Sequence, residues 1–115
     1  MMLSHLLRRL ATLVVDDGTA AEKGMRLLKE NLTPKQREQY EAARSFEVIG
    51  SESGRRYRIR HGNSINIDEL TDTEQVAYRW CVVPQGQLVV GDVLLAQKLA
   101  LETFERETLA VARRY

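Results

Sequence analysis

Apolar side chains in the first 44 residues recur at three- and four-residue spacings, which is the pattern of amphipathic helices. The first run places six of them on one face: Leu3, Leu6, Leu7, Leu10, Leu13 and Val14. Two further helix starts follow, because Thr19 stands three residues before Glu22 and Thr33 stands three residues before Gln36, the spacing of a capping box. The pattern therefore predicts an all-helical N-terminal part, 1–44.

The apolar period changes to two in the middle of the chain, where alternating or β-rich runs are separated by short turns rich in Gly, Ser and Asn. These runs cover residues 46–48, 56–60, 64–68 and 76–83. The segments between them are too short for crossover helices, so neighbouring strands must run in opposite directions. We therefore predict a four-stranded antiparallel meander within residues 45–90.

A last helix is predicted from Val93 to about Ala112, with Asp92 as its N-cap. The first half of this helix is apolar around almost the whole axis, and Gln97 and Lys98 are its only polar gaps. A helix that is apolar on all sides is normally buried on all sides. We therefore expect the sheet to cover one side and the N-terminal helices or a second subunit to cover the other.

The length of 115 residues, with 43% apolar and 29% charged residues, fits a single compact domain, 1–115. The order of the elements indicates the fold class. It predicts an α+β fold in which N-terminal helices precede the antiparallel meander, and a long C-terminal helix within 91–115 packs on the sheet.

Composition excludes several kinds of site and of location. One Cys and two separated His cannot build a disulfide framework or a structural zinc site. The formal net charge of +1 gives no overall field that would attract a polyanion. No uncharged run approaches the roughly 20 residues of a membrane span, and no signal-peptide pattern is present. We therefore expect a cytoplasmic protein with no membrane segment, no metal and no cofactor.

The common catalytic and nucleotide-binding motifs do not occur in the sequence. It contains no Gly-x-Gly-x-x-Gly, no phosphate-binding glycine loop ending in Lys, no His-Glu-x-x-His and no Gly-x-Ser-x-Gly. Glu102, Glu105 and Glu107 are close together on the last predicted helix, but carboxylates at a charged helix end are usually solvated. We therefore expect no catalytic residues and no enzymatic activity.

The most informative local pattern is RYRIR, in which Arg56, Arg58 and Arg60 alternate with Tyr57 and Ile59. If the ring and the aliphatic side chain point into the core, the three guanidinium groups must share the opposite face, because a strand has period two. The pattern therefore predicts a basic stripe on one surface of the sheet.

The neighbours of this stripe on the same face are predicted to be Glu47, Ser64, Asn66 and Asp68. In one interpretation the arginines simply pair across strands with Glu47 and Asp68, and the face is solvated. In another interpretation the face binds an acidic protein partner, and in a third it binds phosphates or stacks bases of a nucleic acid. The excess of Arg over Lys is compatible with binding of either an acidic protein partner or a nucleic acid.

Arg55 and His61 stand at the two ends of the stripe, and together with its three arginines they are the predicted binding residues. We expect a small non-enzymatic interaction or regulatory protein that binds a protein partner or a second copy of itself through this charged face and a helix surface. A nucleic-acid-binding module that uses the arginine-rich strand is the alternative.

Trp80 and Cys81 lie in the last predicted strand, whose core face we expect to contain Val76, Tyr78, Trp80 and Val82. A reactive thiol would need a lowered pKa and a neighbouring base, and the sequence indicates neither. We therefore interpret Cys81 as a buried structural residue.

Several segments together resemble a family of small bacterial and phage-associated proteins. They are LTPKQR from Leu32, FEVIG from Phe46, GRRYRIRHG from Gly54, Asn66-Ile67, CVVP from Cys81 and GDVLLAQKLALE from Gly91. The resemblance covers about residues 32–112 and implies a prokaryotic or viral origin. It also implies that the arginine strand and the last helix form one unit, but it transfers no activity, substrate or site residue.

Overall fold

The computed structural model describes residues 18–115, which form four helices and a five-stranded antiparallel sheet. The helices are α1 (Ala20–Asn31), α2 (Pro34–Ala43), α3 (Val90–Thr103) and α4 (Glu105–Val111). The strands are β1 (Ser45–Ile49), β2 (Arg56–Arg60), β3 (Ile67–Leu70), β4 (Val76–Cys81) and β5 (Arg113–Arg114). The predicted α+β class is confirmed, whereas the predicted helical run from Leu3 to Val14 lies outside the described residues.

Both predicted capping boxes are present. The Thr19 hydroxyl accepts a hydrogen bond from the Glu22 amide at 3.1 Å, and the Glu22 carboxylate accepts one from the Thr19 amide at 3.4 Å. At the start of α2, Thr33 and Gln36 make the same reciprocal pair at 3.1 and 3.0 Å. These bonds satisfy amide groups that have no partner inside the helix, so the starts of α1 and α2 follow from local sequence.

The strands follow one another across the sheet in sequence order, and each runs antiparallel to its neighbours. The predicted meander is therefore confirmed for β1 to β4. β5 is an additional strand at the edge beyond β4, where Arg114 stands opposite Trp80 and Arg113 opposite Cys81. The sequence pattern did not indicate it, because two residues are too few for a periodic signal.

One hydrophobic core lies between the sheet and the helices. Its members are Leu28, Leu32, Tyr40, Phe46, Val48, Tyr57, Ile59, Ile67, Leu94 and Leu101. Trp80 and Val82 pack against this core, but Val76 and Tyr78 are exposed, so the predicted core face of the last strand is only half correct. The reason is the position of α3, which lies over β1 and β2 and leaves part of β4 uncovered.

The predicted single helix from Val93 to Ala112 is wrong at its start and in its continuity. α3 begins at Val90 after the N-cap Val89, and Asp92 lies in the first turn instead of capping it. The chain then leaves the helical conformation at Phe104, where φ is −133° and ψ is 53°, before α4 begins.

Ser51, in the β1–β2 turn, explains this interruption. Its amide donates to the Leu101 carbonyl at 3.0 Å, and its hydroxyl accepts from the Glu105 amide at 3.1 Å. In a continuous helix the Glu105 amide would donate to the Leu101 carbonyl. Ser51 binds both the carbonyl and the amide instead, so the last helix is divided into α3 and α4.

The burial of α3 also differs from the expectation that its first half is covered on all sides. Leu94 and Leu101 are fully buried, but Leu99 is 50% exposed, while Gln97 and Lys98 are 0% and 6% exposed. The buried side of α3 therefore contains its polar residues. Each has a partner: Lys98 donates to the Glu102 carboxylate at 2.6 Å, and Gln97 bonds to Asn66.

Gln97 forms a reciprocal pair with Asn66, with Nδ2 of Asn66 donating at 2.8 Å and Nε2 of Gln97 donating back at 3.0 Å. The Gln97 amide also donates to the Val82 carbonyl at 2.8 Å. Asn66 was expected on the arginine side of the sheet, and that prediction is wrong. Ile65 has a φ of +49°, which breaks the alternation just before β3 begins and turns Asn66 towards α3.

Two packing contacts complete the helix layer. α1 crosses α3 where Gly24 meets Gly91, so closely that a Cβ on Gly91 would lie 2.3 Å from the Gly24 carbonyl carbon. α2 covers the outer edge of β1, where the Glu47 amide donates to Gln39 at 3.0 Å and the Glu47 carbonyl accepts from Gln36 at 2.9 Å. The unpaired groups of this edge strand are thereby satisfied.

Candidate functional site

On the sheet face opposite the helices, β2 and β4 carry four arginines, which we call the arginine face: Arg56, Arg58, Arg60 and Arg79. In β2, residues at alternate positions are buried and half-buried, as the period-two prediction required. Arg79 stands opposite Asp68 in the β3–β4 pair, and Asp68 stands opposite Arg58 in the β2–β3 pair. The register therefore brings side chains from β2, β3 and β4 together on this face.

Three of the arginines surround one buried carboxylate, and we call this group the basic half: Asp68, Arg58, Arg60 and Arg79. Arg58 donates to Asp68 through Nε and Nη2 at 3.1 and 2.9 Å. Arg60 donates through Nε at 3.0 Å and Nη2 at 3.1 Å, and Nε of Arg79 forms an ion pair at 3.5 Å. Asp68 is 1% exposed, so the arginines enclose it almost completely.

The environment keeps Asp68 ionised. Burial by itself raises the pKa of this carboxyl group, but the hydrogen bonds from Arg60 and Arg58 and the charges of both groups outweigh burial. The pKa of Asp68 therefore lies below its ordinary value. Three guanidinium groups stand against one carboxylate, so the basic half carries a surplus of two positive charges.

Arg56 belongs to a second group, which we call the acidic half: Arg56, Glu47 and Glu74. Arg56 forms ion pairs with Glu47 at 3.0 Å and with Glu74 at 2.5 Å, and it donates to the Thr71 carbonyl at 3.3 Å. One guanidinium group stands against two carboxylates here. The predicted cross-strand pairing with Glu47 and Asp68 is thus confirmed, but it divides the charges unequally between the two halves.

β5 adds one more arginine beside the basic half. Arg113 stands opposite Cys81 and shares its side of the sheet with Arg79, whereas Arg114 turns to the other side and lies over the Tyr78 ring at 4.4 Å. Cys81 is half-buried, and its sulfur lies 3.7 Å from the Ser64 hydroxyl. The expectation that Cys81 is fully buried is therefore wrong, because its side chain points to the open sheet face, opposite the helices.

Two predicted binding residues lie apart from the arginine face. Arg55 is in the β1–β2 turn, where it lines a cavity with Arg106 of α4. The His61 ring lies 2.7 Å from the Tyr40 hydroxyl and 3.3 Å from the Arg44 guanidinium. Burial and then the charge of Arg44 lower the pKa of His61, so this ring is neutral at pH 7 and adds no charge to the face.

Sequence reasoning missed Arg79 and Arg113 as members of this surface. The alternation of β4 did place Arg79 on the side opposite Trp80, but only the strand register shows that this side is shared with Arg58. Arg113 had no usable signal, because β5 is defined by its pairing partner and not by its own pattern.

A second polar cluster joins the β1–β2 turn to α4. The Glu105 carboxylate accepts from the amides of Glu52 and Ser53 at 2.9 and 2.7 Å, from the Ser53 hydroxyl at 2.5 Å and from the Tyr57 hydroxyl at 2.6 Å. Burial opposes ionisation, but the bonds from Ser53, Tyr57 and the two amides lower the pKa of Glu105 to about 2. Burial, and next the bond to Glu105, raise the pKa of Tyr57. With four donors already bound, this carboxylate holds the turn and is not available as a general base.

Comparison with protein-family models, with curated proteins and with solved structures gave no match. The resemblance to small bacterial and phage-associated proteins therefore stays a prediction. Within residues 18–115, no helix is long and apolar enough to cross a membrane. Across that same range, His, Cys, Asp and Glu side chains form no group of three that could hold a metal ion.

Proposed function

We propose that this protein is a non-enzymatic interaction protein that binds an acidic segment of a protein partner on the arginine face. The supporting observation is the basic half, in which one buried carboxylate holds three guanidinium groups whose side chains remain 37%, 39% and 58% exposed. This surplus of exposed, fixed positive charge is what an acidic ligand would recognise. A cytoplasmic location, predicted from sequence features, belongs to the same proposal.

Asp68 prepares these arginines for a second anion. A free arginine side chain loses conformational freedom when it binds, and that loss weakens the complex. Here Arg58 and Arg60 are already held by Asp68 at 2.9 to 3.1 Å. Each guanidinium group has five N–H donors in a planar fork, so donors remain for the carboxylates of a partner.

A purely solvated face is a weaker interpretation, because pairing for stability alone would not need three cations around one carboxylate. A nucleic acid is the alternative ligand class. Its continuous phosphate backbone would run from the basic half onto Glu47 and Glu74, where like charges repel. An acidic protein segment can place its charges on the basic half alone, and we therefore favour it.

The test is an anisotropy titration of the full chain with a labelled peptide of six Glu residues at an ionic strength of about 0.1 M, where the Debye length is about 10 Å. Arg79→Glu should weaken binding about tenfold, because it reverses the most exposed charge of the basic half. Lys35→Glu is the matched control, since it makes the same charge change at an exposed position of α2. Its affinity should stay within about twofold of the original.

Equal losses in the two variants would contradict the proposal, because the peptide would then respond only to net charge. Duplex DNA is titrated in parallel. A tighter complex with DNA, with a log–log salt slope of about −3, would favour the nucleic-acid alternative over an acidic protein segment. Self-association of the chain through this face would appear as a sedimentation coefficient that rises with concentration and falls in the Arg79→Glu variant.

A further inference from the structure

The two halves of the arginine face lie at successive positions along β2. Arg58 and Arg60 bind Asp68, whereas Arg56, two residues earlier, binds Glu47 and Glu74. At about 3.4 Å per residue, the centres of the two halves are about 10 Å apart, which is three residues of extended chain. The face therefore has a positive end and a negative end along the strand direction.

Glu74 is the carboxylate of the acidic half that is best placed to contact a ligand. Its side chain is 68% exposed, against 28% for Glu47. Both oxygens of Glu47 are engaged, one by Arg56 and the other by Gln39 at 3.2 Å. Glu74 bonds to Arg56 through Oε1, and among the described residues its Oε2 has no hydrogen-bond partner. That oxygen is free to accept a hydrogen bond from a cationic ligand group.

Resting on the proposed function, we infer that the partner segment is an extended, charge-segregated peptide, with carboxylates over the basic half and a Lys or Arg over Glu74, about three residues away. A uniformly acidic segment of the same length would place a carboxylate against Glu74. The repulsion between these like charges would weaken its complex relative to the segregated peptide.

The experiment is an NMR titration of the ¹⁵N-labelled full chain with three blocked six-residue peptides. The segregated peptide has two Glu, two Ser and two Lys in that order. The shuffled peptide has the same residues with Glu and Lys alternating, and the acidic peptide has Glu in place of Lys. The segregated peptide should bind about tenfold more tightly than the shuffled one. The largest shift changes should fall on amides of β2 and β4.

The variant Glu74→Lys tests the assigned contact. It should reduce the ratio of the affinities for the segregated and shuffled peptides to about one. It should also make the acidic peptide bind more tightly than the segregated one. Glu38→Lys is the matched control, because it changes the charge equally at an exposed position of α2. This control should keep the original ratio.

Equal binding of the segregated and shuffled peptides to the original chain would overturn the inference, as would a ratio that Glu74→Lys leaves unchanged. If either of these results is obtained and the acidic peptide still loses affinity in Arg79→Glu, only the inference fails and the proposed function stands. If no peptide responds to Arg79→Glu, the proposed function fails and the inference fails with it.

Discussion

At the residue scale, one buried carboxylate connects the β1–β2 turn to the C-terminal helix α4. Glu105 is 3% exposed and accepts four hydrogen bonds from the β1–β2 turn and Tyr57. Gly50 allows this approach, because a Cβ at that position would lie 2.3 to 2.6 Å from the Glu105 carboxylate. The turn and the start of α4 are therefore held together by one ionised group.

Replacing Glu105 by Gln should destabilise the fold in a pH-dependent way. The folded pKa of about 2 lies below the ordinary value of 4.5, so the ionised group stabilises the fold above about pH 4.5. This contribution, about 3 kcal/mol at most, is lost as the pH falls towards 2. In urea titrations, the difference in free energy of unfolding between the original chain and Glu105→Gln should be largest at pH 6 to 7 and shrink at low pH.

Glu107→Gln is the control, because Glu107 is an exposed residue of the same helix. Its effect on the free energy of unfolding should stay within about 0.5 kcal/mol. A Glu105→Gln difference that did not vary with pH would show that the ionised carboxylate is not what holds the turn.

At the scale of elements, the crossing of α1 and α3 depends on two glycines. In an exposed helix interior, replacing Gly by Ala stabilises by about 1 kcal/mol. At Gly91 the added Cβ would lie 2.3 to 2.5 Å from backbone atoms of Gly24 and Met25, so the helices would have to move apart. At Gly24 the closest contact is the Val89 side chain at 2.6 Å, which can move more easily than backbone.

Gly91→Ala should therefore lower the free energy of unfolding by about 2 kcal/mol, in the range of overpacked core substitutions. Gly24→Ala should cost less, because its clash is with a side chain. Thermal and urea unfolding of both variants shows which of them loses more stability. A Gly91→Ala variant more stable than the original would show that helix propensity outweighs the contact and that the crossing is looser than described.

At the largest scale, the hydrophobic core within residues 18–115 joins the helix layer to the sheet, and α3 contributes to it with only one side. Leu94 is fully buried in that core, whereas Leu99 on the same helix is 50% exposed. A unified core predicts that a cavity on the inner side of α3 weakens the whole fold, while the same truncation on the outer side does not.

Leu94→Ala should lower the free energy of unfolding by about 2 to 5 kcal/mol, and Leu99→Ala should change it by about 0.5 kcal/mol or less. Urea unfolding followed by Trp80 fluorescence and by circular dichroism measures both. Similar losses in the two variants would mean that the outer side of α3 is covered by another surface, such as a second copy of the chain.

Local patterns in the sequence predicted those parts whose causes lie within a few residues. The capping boxes at Thr19 and Thr33 start their helices through contacts three residues apart, and β2 alternates because of strand geometry alone. For the candidate site, the same alternation placed Arg56, Arg58 and Arg60 on one face. It also named Glu47 and Asp68 as their partners.

Features that depend on distant residues were not predictable in this way. The break at Phe104 needs Ser51 to replace a helical hydrogen bond, and the two residues are more than fifty positions apart in sequence. The inward position of Gln97 needs Asn66, whose direction is set by the φ of Ile65. No periodic pattern contains such information, because it arises when separate elements pack.

The sequence by itself determined the fold class, the meander and a shared face for the arginines of β2, because helix caps, turn residues and strand period act locally. Tertiary structure alone decided the charge arrangement on that face, since strand register brought Arg79 to Asp68 and the β3–β4 turn brought Glu74 to Arg56. The charge of one strand follows from its own residues. The balance of positive and negative charge across a sheet depends on which residues stand opposite one another.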